Sequence, residues 1–271
     1  MKSDFTLLPS QTVQAARQSD TVIQALTSRR DAISFDWLRE NFKRDNAIKD
    51  ELKYGTAVLS SVAHLNQYLW TYGMMVKSQW LKLLALGRPA KLETGDQAIR
   101  LVDYGCGQGL AGIMLSDKLD AKFTRSVHDI LLIEPSTPAL VRAEAIYRNL
   151  FPHAAITCVP KMFDDLEEER FADSLNTRLH IFSNVLDIPT FNQFELFGKL
   201  LKIGRHFILA VSHDRDFKGG TKRITSLETE LHNPKYAKWL TIHTSEIVKF
   251  GCGDDGKFPA VAWMADMSVN K

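Results

Sequence analysis

The residues with the clearest chemical meaning lie in the stretch LVDYGCGQGLAG, residues 101–112, which contains Gly105, Gly107, Gly109 and Gly112. A glycine inside a regular element costs about 0.5–1 kcal/mol relative to alanine, so four glycines in eight positions need a reason. They lie between a strand-like and a helix-like segment. There a turn without side chains lets backbone N–H groups approach a ligand, and a helix N-terminus favours negative charge. The spacing predicts a loop that binds a nucleotide-type cofactor.

Two alignments of these glycines indicate different cofactors. Gly107, Gly109 and Gly112 fit G-x-G-x-x-G, the pattern of dinucleotide-binding proteins. In the alternative, Asp103 is followed by Gly105, Gly107 and Gly109, and the first of these glycines comes directly after the strand. That arrangement resembles motif I of the class I, Rossmann-like S-adenosylmethionine (SAM)-dependent methyltransferases. The resemblance implies that Asp103 acts near the amino group of SAM, and it makes a nicotinamide oxidoreductase the less favoured interpretation.

Other positions agree with this resemblance, which covers roughly residues 98–271. In the family an acidic residue ends the second strand and holds the ribose hydroxyls, and Glu134 in LLIEPS matches it. A carboxylate suits this role because it can accept two hydrogen bonds from a diol. The resemblance further implies that Phe163 covers the adenine ring, that Asp164 accepts from the adenine amine, and that Asn184 lines the methionine pocket. SAM is therefore the expected cofactor, and methyl transfer is the expected activity.

The candidate catalytic groups are Asp187 and His213, which follow the fourth and fifth strands of the predicted sheet. Ligands of open α/β sheets bind at the carboxyl ends of the strands. Methyl transfer requires alignment of the nucleophile with the methyl carbon and, for some acceptors, removal of a proton. An imidazole can act as a general base at neutral pH, and a carboxylate could do the same. A surface position for His213 and a capping role for Asp187 remain alternatives.

No motif specifies the acceptor. The stretch SNVLD, residues 183–187, lacks the Asp/Asn-Pro-Pro-Tyr pattern of many enzymes that methylate base amines, so a small molecule or a protein is favoured over nucleic acid. Basic residues are concentrated in residues 1–92, with 13 Lys and Arg against 8 Asp and Glu, and in residues 199–238, with 9 against 4. Such patches suit an acidic or phosphorylated acceptor. An RNA methyltransferase and a non-catalytic binding protein with this fold remain alternatives.

The elements that must hold these residues alternate between strands and helices after residue 98. This alternation predicts an α/β fold, a doubly wound, mostly parallel seven-stranded sheet that ends in a C-terminal antiparallel hairpin. Thr137 is predicted to cap the helix after the second strand. Thr190 and Gln193 fit a capping box for a later helix.

The residues before this region have a helical pattern. Apolar residues repeat at steps of three and four between Val58 and Leu83, and Gly73 is expected to bend or break the helix. We expect residues 1–92 to form an N-terminal helical lid and substrate segment, and residues 93–271 to form the Rossmann-like methyltransferase domain. The candidates for lining the substrate pocket are aromatic: Tyr54, Tyr68, Trp70 and Tyr72.

The composition is that of an ordinary globular protein, with 271 residues, 45% hydrophobic and 24% charged residues, and a net charge of +2. Three widely spaced cysteines form neither a disulfide framework nor a zinc pattern, and the eight histidines are scattered, so no metal site is predicted. No run of about 18 apolar residues is present, so no membrane span is expected. A reducing, cytoplasmic location is favoured.

Overall fold

The computed structural model contains one eight-stranded sheet. It describes residues 4–5, 10–29, 31–40, 46–86, 97–168, 175–214, 220–253 and 255–270. The strands are β1 (Asp4–Phe5), β2 (Ile99–Tyr104), β3 (Val127–Ile133), β4 (Ala155–Val159), β5 (Thr177–Ser183), β6 (Gly204–His213), β7 (Leu240–Cys252) and β8 (Phe258–Val269). Their order across the sheet is β1-β4-β3-β2-β5-β6-β8-β7.

The strand directions confirm the predicted fold class. Strands β1 to β6 pair in parallel, whereas β8 is antiparallel to both β6 and β7. The predicted seven strands are all present, and the last two form the expected hairpin. The short edge strand β1 was not predicted, because two residues are too few to show the alternation that identifies a strand.

Helices cover the sheet and bury its apolar strands. They are α1 (Ser10–Ser19), α2 (Thr21–Thr27), α3 (Phe35–Glu40), α4 (Val62–Ala85), α5 (Leu110–Lys118), α6 (Ala121–Ser126), α7 (Thr137–Leu150), α8 (Gln193–Leu200) and α9 (Gly220–Leu231). One core lies among α4, α5, α7 and the sheet, and a second lies among α8, α9 and the sheet. All six residues of β2 are buried, as expected for a strand covered on both faces.

The long helix α4 belongs to the first of these cores. Its side chains Leu69, Val76 and Trp80 pack together with residues of β2 and α5. Gly73 does not break the helix, which is continuous from Val62 to Ala85. The glycine instead allows a close approach, since a Cβ there would lie 3.2 Å from Cζ of Phe35. The N-terminal helices therefore share a core with the sheet.

Two helix caps differ from the prediction. Ser136, not Thr137, caps α7, since its side chain accepts a hydrogen bond from the N–H of Ala139. Asn192 caps α8 in place of the predicted pair, and its side chain accepts from the N–H groups of Phe194 and Glu195. In both cases another side chain capable of capping lies within two residues of the predicted cap.

The predicted boundary between residues 92 and 93 lies outside the described residues, so the division into a lid and a domain remains a prediction. No helix in the described part of the chain is long and apolar enough to cross a membrane.

Candidate functional site

The glycine stretch forms the turn between β2 and α5. Gly105, Gly107 and Gly109 have φ values of 61°, 50° and 85°, a region that residues with a side chain rarely adopt. A Cβ on Gly105 would lie 2.6 Å from Val185 Cγ1, and one on Gly109 would lie 3.2 Å from Ala143 Cα. A Cβ on Gly107 would meet no atom within 4 Å. Gly105 and Gly109 thus allow close packing, whereas Gly107 faces open space.

The fourth glycine supports the carboxylate of Asp103 from a distance. A Cβ on Gly112 would lie 2.5 Å from Cζ of Tyr147, so only glycine leaves room for this ring. The Tyr147 hydroxyl donates to Asp103 Oδ2 at 2.7 Å, beneath the glycine loop. Oδ1 of Asp103 is buried and has no hydrogen-bond partner among the described residues. Burial raises the pKa of Asp103 to about 7, although the bond from Tyr147 lowers it and the charge of Glu134 raises it further.

Glu134 lies at the end of β3 and is joined to the glycine loop. Its Oε2 accepts from the N–H of Gly107 at 3.1 Å, and its Oε1 accepts from the N–H of Ser136 at 2.9 Å. Burial raises the pKa of Glu134 to about 7, against the lowering effect of the two backbone bonds. The carboxylate keeps further acceptor capacity on both oxygens, since each oxygen has two lone pairs.

An open cavity lies at this end of the sheet. Six of the residues implied to bind the cofactor contribute to its wall, namely Gly105, Gly107, Glu134, Phe163, Asp164 and Asn184. Gly109 and Asp103 do not line the cavity: Gly109 packs against Ala143, and Asp103 is fully buried. The sequence therefore identified one continuous surface from four separate segments of the chain.

The segment after β4 forms an aromatic part of the wall. Phe163 begins a short 3-10 helix, and its ring meets that of Phe191 edge-on at a centroid distance of 4.7 Å. It also contacts Tyr104 at 6.3 Å. The next residue, Asp164, accepts from the N–H of Asn192 at 3.2 Å. This hydrogen bond connects the segment after β4 to the start of α8.

Asn184 follows β5 with a positive φ of 57°, and its N–H donates to the carbonyl of Val211. Its amide side chain forms a reciprocal pair with Gln79 of α4: Asn184 Nδ2 donates at 2.8 Å, and Gln79 Nε2 donates at 3.1 Å. Trp80 Nε1 donates to Ser183 Oγ at 3.0 Å. Gln79 and Trp80 are fully buried. Helix α4 thus fixes the end of β5, a role that the sequence analysis did not assign to it.

Replacement of Gln79 by leucine should lower the free energy of unfolding by about 1–3 kcal/mol, because the amide of Asn184 loses its partner. Denaturant unfolding measures this change. Asn184→Gly offers a matched control, since glycine accepts the positive φ while it removes the side chain. In the double variant the cost of Gln79→Leu should shrink. An equal cost in both backgrounds would contradict the pairing.

A buried polar network connects the N-terminal helices to the glycine loop. Arg142 of α7 donates from Nε to Asp20 Oδ2 at 2.7 Å, and from Nη1 to Gln108 Oε1 at 2.8 Å. Gln108, which lies inside the glycine stretch, donates from Nε2 to the carbonyl of Leu65. All three polar residues are at least 98% buried. The second residue between the glycines therefore anchors the loop, which its position alone could not indicate.

The predicted pocket aromatics separate into two groups. Tyr68 lines the cavity, whereas Tyr72, whose ring lies 5.2 Å from that of Tyr68, does not. Burial raises the pKa of Tyr68 well above its usual value, and the neighbouring Tyr72, Asp187 and Glu134 raise it further. Tyr54 is 84% exposed and Trp70 is 41% exposed, and neither lines the cavity.

The two candidate catalytic residues lie at the predicted edge of the sheet, but neither of them lines the cavity. Asp187 follows β5 and accepts from Ser212 Oγ at 3.2 Å. His213 ends β6, where its backbone pairs with Ala260 of β8. The structure does not bring the two side chains together at the glycine loop. Among the described residues, no group of three or more acidic, histidine or cysteine side chains could hold a metal ion.

A scan of the sequence against protein-family models finds no match, and a search of the curated proteins finds none. Solved structures with a similar fold include a Listeria monocytogenes protein assigned to the class I SAM-dependent methyltransferases. It shows 14% identity and a TM-score of 0.47, over 95% of this chain and 79% of that chain. The plantazolicin methyltransferase BpumL, in complex with a monoazolic desmethylPZN analog and SAH, shows 12% identity and a TM-score of 0.47 over 92% and 99%.

A Pyrococcus horikoshii protein assigned as an RNA methyltransferase shows 10% identity and a TM-score of 0.42, over 94% of this chain and 99% of that chain. These TM-scores are below 0.5, so the acceptor has to follow from the residues of this chain. The parallel sheet with its antiparallel C-terminal hairpin, and the glycine turn after its central strand, give this chain the fold of the class I SAM-dependent methyltransferases.

Proposed function

We propose that this protein transfers the methyl group of SAM to an acceptor that binds in the same cavity. One observation carries this proposal: the N–H of Gly107 donates to Glu134 at the wall of the cavity, and a Cβ added to the same glycine would meet no atom within 4 Å. A ligand can approach the backbone at Gly107 and reach the carboxylate at the same time. Donors, acceptor and aromatic surface therefore fit a cofactor that has a diol and a purine ring.

The residues that would hold SAM divide by the part of the molecule they fit. Glu134 accepts from the ribose hydroxyls, Phe163 covers the adenine, and Asp164 accepts from the adenine amine. Gly105, Gly107 and Asn184 bound the space for the methionine part, with Gly109 and Asp103 supporting the loop. When bound, SAM supplies a sulfonium whose methyl carbon is attacked in line by a nucleophile.

The acceptor side of the cavity is mainly apolar. Val58, Ile188 and Phe191 contribute to it, and Tyr68 brings a hydroxyl with no hydrogen-bond partner among the described residues. A phenol is protonated at neutral pH, and burial raises the pKa of Tyr68 further, so its hydroxyl can donate to an oxygen of the acceptor. These features favour a small molecule or an exposed protein side chain. RNA and a non-catalytic binding role remain the alternatives.

A cytoplasmic location is part of the proposal. Cys106, Cys158 and Cys252 are all buried and none of them forms a disulfide bond, which suits a reducing compartment.

The cofactor assignment is tested by thermal unfolding with SAM or S-adenosylhomocysteine (SAH). A ligand at about 100 times its dissociation constant adds roughly 2.7 kcal/mol to the stability. For a chain of this size, the melting temperature should rise by on the order of 5–10 °C. NAD is the control. A shift with NAD and none with SAM or SAH would contradict the assignment. Tight SAH binding without methyl transfer to any acceptor in a cell extract would favour the non-catalytic alternative.

The charge of Glu134 should make SAH binding depend on pH. Its pKa is about 7 in the free protein, and the ionised form is the better acceptor for the ribose hydroxyls. Binding therefore favours loss of the proton, so affinity should rise with pH through about 7 and then level off. In Glu134→Gln, affinity above that pH should fall about 10- to 150-fold. Calorimetry at several pH values measures both effects.

This variant also separates Glu134 from Asp103, whose pKa is likewise about 7. If the pH dependence persists unchanged in Glu134→Gln, it belongs to Asp103. If affinity is also unchanged, the ribose is held elsewhere.

A further inference from the structure

A surface depression adjoins the cavity on the side of α8 and α9. It is formed by residues 191–194 and by Lys222 and Arg223 of α9. Phe191 lines both the cavity and the depression, so the two adjoin at this residue. A molecule that extends out of the cavity past Phe191 would enter it.

Arg223 brings a partly buried positive charge to this place. Its guanidinium lies over the ring of Phe191 at 4.9 Å, and it donates from Nε to the carbonyl of Leu186 and from Nη2 to the carbonyl of Phe191. Nη1 has no hydrogen bond to any described residue, and no ion pair is formed within that part of the chain. Burial lowers the pKa of Arg223, against the weaker opposite effect of Asp187 and Asp164. A partly buried charge that forms no ion pair has lost part of its hydration, and an anionic ligand would offset this cost.

Lys222 adds a second positive charge at the exposed rim. Its side chain makes no ion pair with any residue that the structure describes. The acidic residue of the first turn of α8, Glu195, does not neutralise it, because Glu195 pairs with Lys199 at 2.9 Å. The charged residues among the described ones that line the depression are therefore both basic.

Gln193 supplies an unused acceptor beside these charges. Its Nε2 donates to the carbonyl of Arg223 at 2.8 Å and to Ser226 Oγ at 2.9 Å, which fixes the orientation of the amide. Oε1 is buried and has no partner in the described part of the chain. The neighbouring ring of Phe194 is 47% exposed. The depression thus offers two cations, one unsatisfied acceptor and an apolar surface.

We propose that this depression is a subsite for an anionic group, a phosphate or a carboxylate, at the distal end of the methyl acceptor. The apolar part of the acceptor lies in the cavity against Phe191, and its anionic group lies between Lys222 and Arg223. A hydroxyl or amine beside the anion donates to Gln193 Oε1. This assignment rests on the proposed function, because it identifies the cavity as the place of the acceptor.

Small probes test the subsite on the full chain saturated with SAH. Titration calorimetry compares phenyl phosphate and benzoate with phenol and with inorganic phosphate. Phenyl phosphate or benzoate should bind more tightly than phenol and than inorganic phosphate. Their affinity should fall between about 50 mM and about 500 mM salt, because the contact is partly exposed, while that of phenol should not. The preference between phenyl phosphate and benzoate identifies the anion.

Lys222→Glu should weaken the better anionic probe about fivefold to tenfold and leave phenol unchanged. Lys118→Glu is the matched control, since Lys118 is an exposed lysine in the last turn of α5, at the end opposite to the glycine loop. Equal loss in both variants would indicate a general charge effect and overturn the subsite.

The outcomes also separate this proposal from the function on which it rests. If SAH binds but phenol and the anionic probes bind equally, the subsite is wrong and the proposed function stands. If SAH does not bind while the probes behave as expected, the depression binds anions but the methyltransferase assignment fails.

Discussion

Replacement of Gly107 by valine should lower the affinity for SAH by at least about a hundredfold, which corresponds to roughly 2.7 kcal/mol of binding free energy. Gly107 has a φ of 50°, and the direction of its missing Cβ points into open space at the cavity. A branched side chain would fill the space that the cofactor needs in order to contact the backbone at Gly107. Titration calorimetry on the purified variant measures it.

A second glycine offers a control for the backbone strain that the substitution introduces. Gly256, in the turn between β7 and β8, has a φ of 68°, and a Cβ added there would likewise meet no atom within 4 Å. Gly256→Val should therefore carry a similar backbone cost, about 1–3 kcal/mol of stability, and bind SAH normally. Comparable melting temperatures of the two variants, with a loss of SAH binding only in Gly107→Val, would support the glycine loop as a cofactor-binding loop. Normal SAH binding by Gly107→Val would show that this loop does not contact the cofactor.

The glycine loop and Glu134 could be predicted because their signals are local. Three glycines in alternate positions after a strand report a turn with positive φ, and the structure has that turn. An acid at the end of the next strand reaches the same edge, since parallel strands end together. Glu134 then bonds to Gly107, 27 positions earlier. Short-range patterns and one rule of sheet geometry are sufficient for this part of the site.

The contacts of α4 could not be predicted because their partners are far apart in the sequence. Gln79 and Asn184 are separated by 105 positions, and nothing in either neighbourhood indicates the other. The same holds for Arg142 and Asp20, separated by 122 positions. A stripe of apolar residues shows which face of a helix is buried. It does not show which polar residue on that face meets which strand end.

The direction of individual side chains at the strand ends also could not be predicted from the sequence. Asp187 and His213 follow β5 and β6, as predicted. However, His213 is the last residue of β6, where side chains alternate between the two faces of the sheet, and Asp187 lies in the loop after β5, where no regular period sets its direction. Residues 183–185 line the wall, whereas these two do not. Their catalytic role therefore remains a proposal about proton removal.

Asp187 is the better placed of the two candidates. It is held by Ser212, and its charge acts on the phenol of Tyr68, which lines the cavity. His213 lies one strand further along the sheet, where its backbone pairs with β8. If the acceptor must lose a proton, Asp187→Asn should slow methyl transfer by about 10²–10⁴-fold, the usual contribution of a general base. SAH affinity should stay unchanged, since neither residue is assigned to the cofactor.

Single-turnover assays with the identified acceptor measure the chemical step, because slow product release could otherwise hide the loss. Ser212→Ala is an informative companion, since it removes the donor that holds Asp187 without removing the carboxylate. It should cause a smaller loss in the same direction as Asp187→Asn. His213→Ala is the counterpart: a loss in that variant alone would assign the base to the imidazole. If all three variants keep the parent rate, no base is used, and alignment of a nucleophile that is already deprotonated, such as a thiolate, accounts for the reaction.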